Sequence, residues 1–263
     1  MEELSLQIVL LLLLFGFLAA FIDSVVGGGG LISTPALLFL GLPPAAALAT
    51  NKLAGTMGVL TSTIRFVKSG KVDFRVVGKW FPFVFIGSLG GSITVHFLSS
   101  AFLKPVILIL LVLVAIYTIF KKNWGTTSTY KPLSIKKLIF FTALIFIIGF
   151  YDGFLGAGTG SFILFAFLFM GFDFLQSAGS AKFLNFGSNL GALLVFLYFD
   201  SVVFSYGLIM GFAMIVGSFV GSNVALSKGV TYVRTLFILV TLSLISKNIF
   251  DYVNQYKYNQ WFL

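Results

Sequence analysis

Long apolar runs with no polar face dominate the chain. The run "LQIVLLLLLFGFLAAFI" near the start is apolar on every side of a helix, whereas a helix on the surface of a soluble domain is apolar along one stripe. Such runs recur between short polar stretches and predict helical segments at roughly 4–22, 31–42, 45–66, 76–97 and 103–120, then 138–155, 160–172, 176–199, 204–226 and 232–250. Most approach the ~20 residues that a helix needs to cross a bilayer. Segments 31–42 and 160–172 are too short: they either cross with help from irregular flanks or re-enter as half-helices.

Composition agrees with this pattern. The chain is 59% hydrophobic and 10% charged, which a soluble core of this length does not accommodate. Cysteine is absent, which excludes disulfides, thiolate metal sites and cysteine nucleophiles. The first segment is preceded by the acidic "MEELS" and reads as a retained span, not a signal peptide. A net charge of +9 invites a nucleic-acid partner, but ten of the seventeen Lys and Arg lie in two interhelical loops, so the charge reports orientation in a lipid bilayer and no nucleic acid is expected.

The sequence also repeats itself. Displaced by 130 residues, "TNKLAGTMG" lies over "SAKFLNFGS", placing Lys52 on Lys182, and "GSLGGS" lies over "GSFVGS". Lys104 meets Arg234, and Phe120 meets Phe250. Asp23 falls opposite Asp152 one residue out of phase, after which "GGGG" meets "GAGTG". Paired repeats organise many transporters. The loop with Arg65, Lys68, Lys71, Arg75 and Lys79 is expected on the cytoplasmic side, while its counterpart carries only Asp200. Matching loops then lie on opposite faces of the membrane. The linker with Lys121, Lys122, Lys131, Lys136 and Lys137 is also cytoplasmic, and both termini lie outside. The expected fold is an all-α polytopic membrane protein of two inverted-topology repeats, each with about four full-length spans plus one short or re-entrant half-helix. Its units are a first transmembrane repeat (1–120), a basic linker (121–137) and a second repeat (138–263).

Candidate chemistry gathers at the breaks between the first two segments of each half. Glycine costs ~1 kcal/mol per residue against alanine in a helix, so four in succession argue for an intended break. At membrane depth a break needs protein or a water-filled cavity to satisfy its backbone groups. The helix start that follows offers free N–H groups and the positive end of a dipole to an anion. Gly28, Gly29 and Gly30 form the first such start, and Gly158, Thr159, Gly160 and Ser161 the second. Lys52 and Lys182 lie within apolar segments, where lysine costs at least ~2.5 kcal/mol. They supply positive potential to an anion, with Thr50, Asn51, Ser180 and Asn185 as hydrogen-bonding neighbours; the competing account is snorkelling to the interface. Asp23 and Asp152 pair with the lysines, carry a coupling proton, or cap the broken backbone. "GSLGGS" and "GSFVGS" have the small-residue spacing of helix packing. Trp80, the single His96 and the tail "DYVNQYKYNQWFL" are expected at the membrane interface.

The pattern "ID…GGGGLI…PALL…G.P…A.ATNK…G", followed by a degenerate second copy in which Ala181 replaces the asparagine, resembles the TauE/SafE sulfite exporter family, also called the 4-toluene sulfonate uptake permease family. The resemblance covers essentially the whole chain. It implies a secondary transporter of small sulfur-containing anions, sulfite or organosulfonates, in the inner membrane of a prokaryote. No cofactor is expected, and because an anion leaves with the inside-negative potential, a coupling proton or cation is expected where the direction is uptake. A passive anion channel is the alternative. An enzyme is not expected: the glycine-leucine-glycine-aspartate motif of intramembrane aspartyl proteases is missing, and "GGGGLISTP" lacks the Lys-Ser/Thr ending of a phosphate loop.

Overall fold

The computed structural model describes residues 5–99, 101–103, 105, 106, 109, 130 and 134–228. The expected segment at 232–250, nearly all of that at 103–120, most of the basic linker, Lys104, Arg234 and the aromatic tail lie outside them. The described elements are helical throughout: α1 (Leu6–Val26), α2 (Gly30–Phe39), α3 (Pro44–Lys68), α4 (Phe74–Val77), a 3-10 turn (Gly78–Trp80), α5 (Phe81–His96), α6 (Ile135–Phe154), α7 (Thr159–Phe169), α8 (Phe174–Tyr198) and α9 (Phe204–Lys228).

Local chemistry sets most boundaries. The Ser5 side chain accepts from the Ile8 N–H to start α1, Pro44 opens α3 where a missing N–H costs nothing, and Asp173 accepts from the Gln176 N–H to start α8. α2 and α7 stop about three residues short of the expected ends, because Gly41 and Gly171 turn the chain at φ +89° and +92°. The expected segment 76–97 is three consecutive helical pieces instead of one. Pro82 cannot donate to the Gly78 carbonyl, so the ladder is interrupted there. α6 begins at Ile135, which brings Lys136 and Lys137 from the expected linker into its first turn.

Among the described residues, five helical stretches are long and apolar enough to cross a membrane: Leu6–Val25, Phe74–His96, Ile135–Phe154, Phe174–Tyr198 and Phe204–Ser227. At 10 and 11 residues, α2 and α7 rise only about 15 Å, half the hydrocarbon thickness. α3 has 25 residues but buries Thr50, Asn51, Lys52, Thr56, Ser62 and Thr63. The outside is greasy: Leu10, Ile139, Phe140, Ile147, Phe169 and Phe212 are exposed, as a lipid-facing surface requires, while the inside combines an apolar core with buried polar groups on α3 and α8. This is a polytopic all-helical membrane protein.

The helix pairings map onto themselves when each element is exchanged for its counterpart in the other half. α1 packs on α9 as α6 packs on α5, α3 packs on α9 as α8 packs on α5, and α3 packs on α8. Glycine makes these contacts close. A Cβ on Gly91 would lie 1.9 Å from the Phe150 carbonyl oxygen, and one on Gly217 would lie 2.3 Å from that of Phe17. The "GSLGGS" and "GSFVGS" stretches are thus helix-packing seams. Trp80 departs from expectation. It is 1% exposed, packs against Phe141 and Phe167, and donates its indole N–H to Thr142 Oγ1 at 3.1 Å. That partner lets the indole be buried instead of anchoring at the interface. His96 is exposed and stacks on Phe199.

Candidate functional site

The glycine runs do break the helices, and the two breaks touch. Gly27 adopts φ +77° and donates its N–H to the Asp23 carbonyl at 2.8 Å, which ends α1. Asp23 Oδ1 then accepts the Gly29 N–H at 3.1 Å. The Leu31 and Ile32 amides close tight turns onto the Gly28 and Gly29 carbonyls. In the second half, Gly156 and Gly158 both sit at φ +79°. The Tyr151 hydroxyl donates to the Ala157 carbonyl at 2.7 Å, and the Thr159 hydroxyl to that of Gly156 at 3.1 Å. The amide and hydroxyl of Ser161 both donate to the Gly27 carbonyl, each at 2.7 Å. A Cβ on Gly27 would lie 2.3 Å from the Gly160 carbonyl carbon, and one on Gly160 would lie 2.7 Å from Gly27 Cα. Glycine therefore serves both the break and the contact.

Around this junction run two ion pairs that cross between the halves. Lys52 Nζ on α3 lies 2.8 Å from Asp152 Oδ2 on α6, with the side chains 2% and 1% exposed. Lys182 Nζ on α8 lies 2.6 Å from Asp23 Oδ2 on α1, with the side chains 2% and 14% exposed, and also donates to the Asp23 carbonyl. Neither lysine snorkels. Each is neutralised at depth by an aspartate of the other half, as embedded charges require. Asp23 is both a counter-ion and the cap of the α2 start.

Beside the pairs lies a cavity of about 420 Å³, counting the open space at its mouth. Its walls come from α1 (Ala19, Ala20, Asp23), the α2 start (Gly29, Gly30, Ser33), α3 (Asn51, Lys52, Gly55, Gly58, Val59), Gly156, α8 (Asn185, Asn189) and α9 (Met214, Ser218). The Gly30 N–H, on this wall, has no partner among the described residues.

Of the residues expected at the site, the fold brings Asp23, Gly29, Gly30, Asn51, Lys52 and Asn185 to the cavity wall. Lys182 and Asp152 stand behind it as counter-ions. Gly28, Gly158, Thr159, Gly160 and Ser161 build the junction, and Ser180 is buried on α8 outside the lining. Thr50 is turned to the loop after α8, where its hydroxyl accepts the Val203 N–H at 3.0 Å. Sequence reasoning missed Ser33, Gly55, Gly58, Asn189, Met214 and Ser218. Helical spacing was the available signal for several of them: Gly55 and Gly58 follow Asn51 by four and seven residues, and Asn189 follows Asn185 by four.

Comparison with known proteins converges on one family. Residues 12–247 match the family model described as sulfite exporter TauE/SafE. The chain is 36% identical over 248 residues to a probable membrane transporter protein ORF9 of Sinorhizobium, covering 93% of each chain. It is 33% identical over 250 residues to a probable membrane transporter protein of Haemophilus influenzae, covering 95% of this chain and 97% of that one. It is 34% identical over 235 residues to the Escherichia coli probable membrane transporter protein YfcA, covering 89% and 87%. No solved structure matches. A polytopic fold whose glycine-broken helices meet at a polar cavity, matched over nearly its whole length by these relatives, belongs to the sulfite exporter TauE/SafE family of membrane transporters.

Proposed function

We propose that this protein is a secondary transporter of small sulfur-containing anions, sulfite or organosulfonates, working by alternating access between two inverted-topology repeats (1–120 and 138–263) joined by a cytoplasmic linker. The observation that carries the reading is the pair of crossed ion pairs beside one polar cavity. Each ties the two halves together at the helix breaks, where rocking of one half against the other would expose the cavity to alternate sides. The start of α2 already holds an anion, the Asp23 carboxylate, on the Gly29 N–H. A substrate anion takes the same kind of place, beside Gly29, Gly30 and Asn51, within the potential of Lys52 and Lys182. The sulfur chemistry rests on the chain's membership of a family described as sulfite exporters.

Charge bookkeeping bears on coupling. The four formal charges at the junction cancel, so a bound anion adds a net negative charge. Driving that charge inward against an inside-negative potential costs about 2.3 kcal/mol per 100 mV. Uptake therefore calls for a cotransported cation, and Asp23, the carboxylate on the cavity wall, is placed to take a proton. Export needs none. The reading places the protein in a prokaryotic inner membrane with both termini outside.

Purified protein in liposomes tests the proposal. Labelled sulfite should exchange for internal sulfite with saturable kinetics and be inhibited by a small sulfonate. Flux that rises without saturation would make the protein a channel, and exchange of carboxylates but not sulfur oxyanions would remove the substrate class.

A further inference from the structure

The ion pairs and the helix breaks are duplicated, but the amides on the cavity wall are not. Asn51, Asn185 and Asn189 correspond to Ala181, Gly55 and Val59 in the other half. The polar wall thus lies to one side of the pseudo-symmetric junction. Gly55, facing it, makes room: a Cβ there would come within 3.3 Å of Asn189 Oδ1.

Hydrogen bonding fixes which way one of these amides points. Asn189 Nδ2 lies 2.8 Å from the Asn185 backbone carbonyl. A carbonyl only accepts, so this atom of Asn189 must be the NH2 group. The same NH2 lies 2.9 Å from the Asn185 side chain, which must therefore present its oxygen to Asn189 and turn its own NH2 away. That NH2 has no hydrogen bond among the described residues. Asn51 is a second and independent case. It is 7% exposed, lines the cavity, and its NH2 donates no hydrogen bond among the described residues, while its Oδ1, which can only accept and so cannot hold an anion, is buried without a partner. Buried amides are rarely left unpaired unless a ligand completes them.

We infer that the cavity takes one singly charged oxyanion per chain, held by the side-chain amides of Asn51 and Asn185, with Asn189 as the positioning residue that orients Asn185. This rests on the reading of the cavity as the anion site. Charge selectivity follows from the surroundings. Lys52 and Lys182 are already neutralised by Asp152 and Asp23, so the donors left for a ligand are neutral. The cost of desolvating an ion grows with the square of its charge, roughly fourfold for a dianion, and neutral amides offset a single charge far better than a double one. One set of amides gives one site, off the pseudo-symmetry axis.

Isothermal titration of the full-length protein in detergent with methanesulfonate and with sulfate tests this. Expected are one methanesulfonate per chain and affinity at least about tenfold above that for sulfate. Asn51→Leu and Asn185→Leu should each weaken methanesulfonate roughly ten- to a hundredfold, the loss of a hydrogen bond to a charged group. Asn189→Leu should weaken it in the wild-type background and have no further effect in an Asn185→Leu background; a purely structural Asn189 would act additively. Asn51→Ser and Asn185→Ser replace any leucine variant that does not fold. Two ions per chain, sulfate bound as tightly, or unchanged affinity in the asparagine variants would overturn the inference while leaving an anion carrier in place. A wild-type protein that binds no anion would overturn both readings.

Discussion

Replacing Lys52 with methionine separates the scaffold role of the ion pairs from their transport role. The substitution keeps the length of the stem and removes the charge 2.8 Å from Asp152 Oδ2, leaving that carboxylate 1% exposed without its counter-ion. At an effective dielectric constant near 20 the gross attraction at this distance is about 6 kcal/mol. Most of it offsets the desolvation of the two groups, so the net cost of breaking the pair is expected at about 3–5 kcal/mol. Adding Asp152→Leu removes the orphaned charge and should restore stability to within roughly 1 kcal/mol of wild type, since apolar replacement of a buried pair is often neutral. Unfolding in mixed micelles measures the first quantity, and sulfite exchange in liposomes measures the second. The double variant is expected to fold and yet exchange sulfite at less than about a tenth of the wild-type rate, because the net charge of the junction is unchanged but the ammonium on the cavity wall is gone. Wild-type exchange by the double variant would refute a transport role for Lys52. A single variant that loses less than about 1 kcal/mol would refute the buried pair itself.

Other perturbations test neighbouring parts of the argument. Asp23→Asn keeps an acceptor for the Gly29 N–H but not the charge beside Lys182; because Asp23 is 14% exposed against 1% for Asp152, it should destabilise less than Asp152→Asn in the same unfolding assay. Gly91→Ala drives a Cβ to 1.9 Å from the Phe150 carbonyl oxygen, whereas at Gly90 the nearest atom is a ring carbon at 3.4 Å. The first should lower stability by at least about 1–3 kcal/mol and the second should be near neutral, as read by melting temperature in detergent. Ser161→Ala removes the hydroxyl bond to the Gly27 carbonyl but leaves the amide bond to the same oxygen, so a loss of about 1 kcal/mol is expected; a loss several times larger would mean that the junction depends on the hydroxyl alone.

Much of this was legible in the sequence because membranes impose strict rules. Apolar run length located most of the described helices to within a few residues, and recurrence in one frame identified the paired elements α3 and α8, each of 25 residues. The glycine runs signalled breaks because nothing else explains four helix-breaking residues between apolar segments. What the sequence left open was partnership. Asp23 and Lys182 are 159 residues apart, and no local pattern says that each lysine seeks the aspartate of the other half and not of its own. Trp80 was misplaced because a tryptophan near a helix end reads as an interface anchor until its partner Thr142 is known. Asn189 was missed because its bond to Asn185 is local, while its importance depends on a cavity formed by five helices.

The two breaks have diverged in a way that assigns them different work. In the second half, the "GAGTG" stretch spends its polar groups inward: Thr159 bonds Gly156, Tyr151 bonds Ala157, and Ser161 gives both its amide and its hydroxyl to Gly27. Nothing from Gly158 to Ser161 reaches the cavity wall. In the first half, the glycine run has no side chains to do this, so its order comes from Asp23 on the Gly29 amide and from the Ser161 donors on Gly27. Of this run Gly29 and Gly30 line the cavity, and the Gly30 N–H has no partner among the described residues. The hydroxyl-rich copy thus braces the bare one, and under the proposed function the bare glycines would be the copy whose backbone a ligand approaches. Introducing Thr at Gly29 would put a Cβ 2.8 Å from Asp23 Cβ. The hydroxyl-bearing pattern of the second half does not fit the first, and such a variant is expected to lose anion binding together with the Asp23 cap. Retained binding would show that the two starts are interchangeable.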